Sequence, residues 1–345
     1  MGIDRVRWGI VATGNISTSF TKDLALLGDE AVVTAVASRS LENAHKFADE
    51  FGIEHRYDDY RRLLDDGVVD VLYIGTPHPQ HYAVARAALQ AKIAVLCEKP
   101  VTLTAKQARD LVAVAVENNT LFAEAMWMRT NPVVKAFFAD LETGVIGEPM
   151  EALADFGFYK PNPPARLLDH ALGGGSLMDG GIYPMTFVHM ALGKPAEVKA
   201  VGSLNDDGVD LNVAMAWRYD SGAVAALTCG LRSQNPFTAS VSGPEGSLLL
   251  PSRFHHPEYY VRSTASGQER IAVPIPSPPH HPGQATAHGL GYHYEAAEVM
   301  QALRAGLVEC PALPHAATIE ILELLDETRR QIGVSYPGDD EDLGG

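Results

Sequence analysis

The sequence predicts an α/β chain: a doubly wound parallel sheet at the N-terminus, then an α+β domain with a mostly antiparallel open sheet. Three observations predict it. Strand-like runs that are apolar on both faces alternate with amphipathic segments over residues 1–125, the pattern of a parallel sheet covered by helices on both sides. Beyond that point strand-like runs succeed one another with no helix between them, as in an antiparallel sheet. The first strand also enters the first helix through a turn of small residues, "GIVATGNIS" (9–17).

In order, the first part has predicted strands at 6–12, 31–38, 68–76, 93–98 and 121–125, with helices near 15–27, 40–51, 58–65, 79–91 and 104–118. Thr104 and Gln107 have the spacing of a capping box at the start of the last helix. A helix near 131–142 opens the second part, followed by the segment 148–159 and the glycine-rich stretch "GGGSLMDGGIYP" (173–184). Strands are expected at 196–204, 209–219, 222–230, 237–243, 246–250 and 258–263. A proline-rich loop (274–284) and helices near 292–305 and 315–331 complete the pattern. The expected division is 1–125, 126–338 and a disordered acidic tail, 339–345, that carries Asp339, Asp340, Glu341 and Asp342.

Composition narrows the function classes. A net charge of −16 disfavours nucleic acid, whose phosphates require a basic face. Cys97, Cys229 and Cys310 are scattered and form no C-x-x-C pair, which argues against a disulfide framework or a cysteine zinc site. No apolar run reaches the roughly 20 residues of a membrane span, and a strand begins almost at once, so neither a membrane partner nor a signal peptide is expected. The expected compartment is the cytoplasm.

A dinucleotide-binding turn reads G-x-G-x-x-G. Aligned on Gly14, this turn reads Ala12-x-Gly14-x-x-Ser17. The chemistry needs main-chain N–H groups aimed at a pyrophosphate from a helix N-terminus, which makes Ala12, Thr13, Gly14, Asn15 and Ile16 the candidate phosphate-binding residues. Gly14 keeps the position of closest backbone approach, and small residues at 12 and 17 still permit the turn. A plain strand-to-helix turn is the other reading. At the end of the second strand, where an NAD site places an acid on the ribose, the chain reads Ala37-Ser38-Arg39-Ser40. Arg39 can pair with a 2′-phosphate and stack on adenine, with Ser38 and Ser40 supplying hydroxyls; this favours NADP over NAD. Alternatively, Arg39 is a solvated residue and Ser40 a helix N-cap. "CEKP" (97–100) ends a predicted strand, where Lys99 can hold a substrate hydroxyl and stabilise developing negative charge; a lone strand-end lysine is otherwise a surface residue.

The ordered set "GIVATGNIS", "VASRS", "TPHPQH" (76–81), "CEKP" and "LGGGSLMDGGIYP" resembles the glucose–fructose oxidoreductase/inositol dehydrogenase (Gfo/Idh/MocA) family over nearly the whole chain. "EAMWMRTNP" (124–132), "ADFGF" (154–158) and residues 291–337 are similar to its branch of dimeric trans-dihydrodiol dehydrogenases and NADP-dependent D-xylose 1-dehydrogenases. The resemblance implies a Rossmann domain that binds NADP, then an α+β domain whose large open sheet pairs a homodimer. It implies that Thr76, Pro77 and His81 line the cofactor, that Glu98 fixes the ribose side, and that the nicotinamide lies near Lys99. It implies a catalytic set of Lys99, Asp179 and Tyr183, and a small polyhydroxylated substrate, a sugar or cyclic diol.

From the residues themselves, the spacing of four puts Asp179 and Tyr183 on one helical face, although Pro184 requires the helix to start late or be distorted. Ser176-x-x-Asp179 also fits a capping box, and Tyr183 fits a core aromatic. Trp127, Arg129, Phe158 and Tyr159 are candidates to shape the substrate site, with Arg166 and Asp169 as further ones; the aromatic rings can stack on a sugar face or fill a core. His255, His256, His280, His281, His288 and His293 lack metal-ligand spacing and are read as solvated, with no metal expected. Two rival functions remain in view: a non-catalytic NADP-binding regulator, and an enzyme that retains its cofactor and uses transient oxidation.

Overall fold

The computed structural model describes residues 4–273, 289–337 and 339. The proline-rich loop with His280 and His281, His288, and the acidic residues of 340–345 lie outside the described residues. The chain forms two compact units. The first comprises the residues up to Thr102, Lys106–Thr130 and a later segment ending at Thr318; the second comprises Leu103–Ala105, the segment from Asn131 and the residues from Ile319.

In the first unit, β1 (Val6–Val11), β2 (Ala31–Ala37), β3 (His55–Tyr57), β4 (Val71–Ile74), β5 (Ala94–Glu98) and β6 (Phe122–Ala125) form one sheet in the order β3-β2-β1-β4-β5-β6. Every pairing in it is parallel. The strand order reverses between β1 and β4, and in doubly wound sheets ligands bind outside the strand C-terminal ends at that point. The helices are α1 (Asn15–Leu24), α2 (Leu41–Phe51), α3 (Tyr60–Asp65), α4 (His78–Gln90) and α5 (Ala105–Glu117). Their limits follow local chemistry. Ser40 caps α2 by accepting from Asn43 N, and Gly52 ends it at φ 69°. The expected helix over 15–27 stops earlier, at Leu24, because a 3-10 segment broken at Gly28 (φ 59°) takes over. Trp8, Phe20 and Tyr73 centre the core; Phe20 stacks on Tyr73 at 3.8 Å and meets Trp8 at 5.4 Å.

The second unit contains α6 (Pro132–Glu142), α7 (Ile182–Leu192) and eight strands: β7 (Glu151–Gly157), β8 (Glu197–Leu204), β9 (Asp210–Arg218), β10 (Val224–Gly230), β11 (Ala239–Gly243), β12 (Gly246–Leu250), β13 (Tyr260–Thr264) and β14 (Gly267–Ile271). They form one sheet in the order β14-β13-β12-β11-β7-β10-β9-β8, antiparallel except for β7 against β10. Burial alternates along β9 and β10: Val213, Met215, Trp217, Ala225, Leu227 and Cys229 face the core, and Ala214, Ala216, Val224, Ala226 and Thr228 face out. Phe187 of α7 packs on Phe137 of α6 at 5.5 Å and on Phe254 at 5.9 Å, covering the inner face.

Two further helices follow, α8 (Tyr292–Arg304) and α9 (His315–Ile332). The sequence division at 125 groups α8 with the second part; by contact it lies in the first unit, where it packs against α1. The link is polar. Gly291 supplies no side-chain cap to α8, and the buried Asp23 carboxylate of α1 does so instead, accepting from Leu290 N (2.8 Å), Gly291 N (2.7 Å) and Tyr292 N (2.9 Å). His293, expected in solvent, is buried beside the same carboxylate, its Nδ1 at 3.7 Å. Periodicity places the helix but says nothing of its partner.

α8 also buries Glu295 completely, with neither carboxyl oxygen hydrogen-bonded among the described residues. Burial, and then the negative charges of Glu98 and Asp23, push its pKa well above the carboxylate range. A carboxyl whose folded pKa is raised contributes its full stability below the unfolded value of about 4.3 and loses it progressively as pH rises from there towards the raised folded value. Glu295→Gln, which has no proton to lose, is therefore expected to raise the denaturant midpoint at pH 8, with the gain vanishing near pH 4. A pH-independent difference would show that the carboxyl is not held in its acid form.

Candidate active site

On the first unit, the turn after β1 and the clamp after β5 carry the candidate cofactor residues. Ala12 N donates to Ala37 O (2.9 Å) and Gly75 N to Val11 O (3.0 Å), tying the ends of β1, β2 and β4 together. Ala12 adopts φ 78°, the left-handed region where glycine is at ease; the first glycine position keeps its conformation without its glycine. Gly14 is the N-cap of α1 and brings no side chain to cap this end, and Gly14 and Asn15 are exposed. A helix N-terminus with outward main-chain donors and no side-chain acceptor suits a phosphate. Thr13 and Ile16 are half-buried beside it. Ser17 faces Gly75 so closely that a Cβ on Gly75 would lie 2.5 Å from Ser17 Oγ. The buried hydroxyls of Ser17 and Thr76 have no hydrogen-bond partner among the described residues, so the site has polar capacity that its own residues leave unused. These features fit a dinucleotide. Arg39 is exposed at the end of β2, Ser38 is half-buried, and the Ser40 hydroxyl caps α2. Pro77 precedes α4 as its N-cap.

Lys99 stands on a turn gripped from three sides. Tyr73 OH donates to Glu98 Oε1 (2.6 Å), and Lys99 N donates to Glu98 Oε2 (3.3 Å). Val101 N donates to Glu124 Oε1 (3.0 Å), and Thr318 Oγ1 donates to Glu124 Oε2 (3.1 Å). The fully buried His81 ring lies 2.8 Å from both Thr76 O and Pro100 O. Burial draws the His81 pKa down, and the Lys99 charge adds to this, while the two carbonyls pull it up. Burial likewise raises the Glu124 pKa, opposed by Val101 N and Thr318, and drives the Tyr73 phenol well up, reinforced by Glu98. His81 thus fixes the loop that carries Thr76 to the turn that carries Lys99. Tyr73 and Glu124 were not singled out in the sequence; a glutamate inside the apolar strand "LFAEA" was the available signal, since buried carboxylates need partners.

On the second unit, residues Leu177–Gly181 form a π-helical turn that runs into α7. This is the distortion that Pro184 requires: the wider turn lets the helix proceed past a residue without an N–H. Asp179 and Tyr183 remain about one turn apart. The capping-box alternative for Asp179 is not what forms, because Ser176 Oγ donates instead to Asp210 Oδ2 (2.7 Å), as does Leu177 N (2.7 Å). The Asp179 carboxylate accepts from Arg166 Nη1 at 2.9 Å. Tyr183 is buried and stacks on Phe156 (5.1 Å, 14°). His255 lies 5.1 Å from both rings, and His256 stands perpendicular to it at 4.5 Å. Both histidines were expected in solvent; aromatic packing half-buries them, and burial lowers the His256 pKa.

The candidate substrate residues divide. Trp127 is buried in the first unit against Tyr292 (4.6 Å), and Arg129 is half-buried, its pKa lowered by burial and raised by Glu124. Phe158 and Tyr159 follow β7 in the second unit; Phe158 meets Phe156 edge-on at 6.5 Å, and Tyr159 is exposed. Among the described residues no group of three or more His, Cys, Asp or Glu is placed to hold a metal, and no helix is long and apolar enough to cross a membrane.

The contact of Ser17 with Gly75 gives a paired prediction. Gly75→Ala is expected to destabilise by about 1–3 kcal/mol through overpacking, and Ser17→Gly in that background to recover part of the loss. Denaturant midpoints of the four proteins in the cycle measure it; additive effects would refute the contact.

Comparison with known proteins agrees with this architecture. The family description "Oxidoreductase family, NAD-binding Rossmann fold" matches residues 6–125, and "GFO/IDH/MocA C-terminal domain" matches residues 139–249. The chain is 39% identical over 338 residues to trans-1,2-dihydrobenzene-1,2-diol dehydrogenase of Sus scrofa, covering 97% of this chain and 99% of the relative. The Danio rerio protein of the same name is 33% identical over 339 residues, covering 97% and 99%. Among solved structures, a 3-ketoreductase from Actinomadura kijaniata in complex with TDP-benzene and NADP superposes with a TM-score of 0.80 at 26% identity, covering 96% of this chain and 99% of that one. Levoglucosan dehydrogenase in complex with NADH and levoglucosan gives 0.84 at 21% identity, covering 95% and 97%, a likeness of fold. The chain belongs to the Gfo/Idh/MocA oxidoreductase family, with its NAD(P)-binding Rossmann fold, in the branch of the trans-dihydrodiol dehydrogenases.

Proposed function

We propose that the protein is an NADP-dependent dehydrogenase that oxidises a carbinol carbon of a small cyclic diol or sugar, with Lys99, Asp179 and Tyr183 as its catalytic residues. The observation that carries the reading is the near full-length identity to dihydrodiol dehydrogenases, joined to a lysine held on a clamped turn at the C-terminal end of β5. Bound NADP supplies the acceptor for the hydride that leaves the carbinol carbon. The Lys99 ammonium holds the reacting hydroxyl and stabilises its oxygen as negative charge develops. Tyr183, acting as its phenolate, receives the hydroxyl proton and becomes the phenol. Asp179 orients the substrate through a second hydroxyl. Phe158 and Tyr159 offer aromatic faces to the ring of the substrate.

The preference for NADP rests on Arg39, exposed after β2 where an NAD site would carry an acid. Thr76, with its unsatisfied hydroxyl, and the main chain of residues 12–16 hold the remainder of the dinucleotide. A substrate panel of aldoses and cyclic diols, followed by nicotinamide absorbance with NADP and NAD in parallel, is expected to show turnover with NADP preferred. A clear NAD preference would sink the Arg39 argument. Lys99→Met should lower kcat by about 100-fold or more while NADP still binds; a variant that kept most of its turnover would refute the assignment of Lys99, whereas a wild-type protein that binds NADP and turns over no member of the panel would favour the non-catalytic regulator.

The protein pairs with a second copy through the outer face of its large sheet. Strand register aligns Lys199, Ala216, Ala226, Leu153, Ser240 and Leu249 in one row across β8, β9, β10, β7, β11 and β12. Leu153 is 44% exposed, Val224 47% and Val201 72%, an apolar, small-residue surface of the kind that marks an interface. Ala226→Arg is expected to shift sedimentation from dimer to monomer. A wild-type monomer at micromolar concentration would exclude the dimer.

A further inference from the structure

We propose that Arg166 is a positioning residue for this reaction, holding the Asp179 carboxylate ionised and fixed in orientation while it receives a substrate hydroxyl. The inference rests on the assignment of Asp179 above. Arg166 lies on a 3-10 turn, Ala165–Leu167, thirteen residues before its partner. The Nη1-to-Oδ1 contact is 2.9 Å; the Asp179 side chain is 15% exposed and that of Arg166 48%. A pair this open contributes little to stability, so fold stability gives a weak reason for the loop that delivers it.

That loop is built firmly. Leu167 is buried, Gly175 N donates to Leu167 O (3.0 Å), and Gly174 N donates to Asp169 O (3.0 Å). The Asp169 side chain accepts from Ala171 N (2.9 Å), and Tyr336 OH donates to Gly174 O (2.5 Å). A Cβ on Gly174 would sit 2.7 Å from Arg166 O, so the two passes of the loop touch main chain to main chain. On the other side, the buried Asp210 holds the start of the π-turn through Ser176 and Leu177. Asp210 therefore fixes where the Asp179 backbone stands, and Arg166 fixes which way its carboxylate points. A carboxylate has about four acceptor sites; one guanidinium N–H orients it without exhausting it.

The charge matters as much as the geometry. Apart from Arg166, and from Arg218 at the far end of β9, which pairs with Glu197 at 3.1 Å, the titratable groups on the elements packed against the π-turn are acids, a thiol, a phenol and an imidazole. Asp155 of β7 accepts from Phe237 N, Thr238 N and Thr238 Oγ1. Asp210 of β9 and Cys229 of β10 are pushed towards their neutral forms by burial. On α7, Tyr183 lies one turn on, and His189 is engaged with Glu320 at 2.6 Å. Arg166 places a permanent positive charge 2.9 Å from the Asp179 carboxylate, and an opposite charge at that distance favours the ionised form.

The test uses the full-length enzyme with Arg166→Met, Arg166→Lys, Asp179→Asn and the Met/Asn double variant. Arg166→Met is expected to lose about 10-fold or more in kcat/KM, to move the acid limb of its pH profile up by about half a unit or more, and to keep its melting temperature. Added guanidinium ion should restore part of that loss, Arg166→Lys should retain the acid limb, and in the Asp179→Asn background Arg166→Met should cost nothing further. An unchanged profile for Arg166→Met beside an inactive Asp179→Asn overturns this inference alone, as do losses that multiply in the double variant. Full activity of Asp179→Asn overturns the role of Asp179 itself, and this inference with it.

Discussion

The turn after β5 cannot be built without burying polar backbone, and most of the first unit is arranged around that cost. An unsatisfied buried amide or carbonyl costs about 1–3 kcal/mol. The chain answers with a side chain from each neighbouring element: Tyr73 and Glu98 from adjacent strands, Glu124 from β6, His81 from α4. A neutral imidazole has a single N–H, so the two carbonyls at His81 compete for one proton unless the ring is charged. A network of this kind is rigid when satisfied and costly when a member is missing, which is what a lysine needs if its ammonium is to meet a reacting oxygen within tenths of an ångström.

The nucleotide turn shows a different economy. Its three-glycine fingerprint is redistributed rather than lost. Ala12 accepts a left-handed backbone, and the close approach usually served by a third glycine is served from the opposite side, by Gly75 just past the end of β4, facing Ser17. The same contact can be made by trimming either partner, so a fingerprint that inspects only the helix side undercounts such sites.

Much of the fold was legible because it is carried by period. The alternation of apolar and amphipathic runs placed the main strands and helices, and the alternating burial of β9 and β10 is visible in their letters. β3, with three residues, and β14, which is exposed along most of its length, carry no such period and were not anticipated. Local chemistry was legible too: Ser40 as a cap, and a helix forced out of shape by Pro184. Long-range contacts were not. Nothing at position 255 announces that an imidazole will pack on Tyr183, or at position 210 that an aspartate will anchor the turn at Ser176. The candidate residues Lys99, Asp179 and Tyr183 came from an ordered resemblance; their surroundings came from the fold.

Asp23 and the start of α8 are more than 260 positions apart in the chain, yet the carboxylate of one is the cap of the other. As the protein emerges from a ribosome at roughly 5–20 residues per second, the first unit must therefore wait, with α1 uncovered and a carboxylate lacking its donors, until every strand of the second unit's sheet has been synthesised. The first unit to begin folding is among the last to finish. A chain that stops before residue 290 lacks both the donors that Asp23 holds and the helix that packs on α1, so the length of the newborn chain is itself read by the fold.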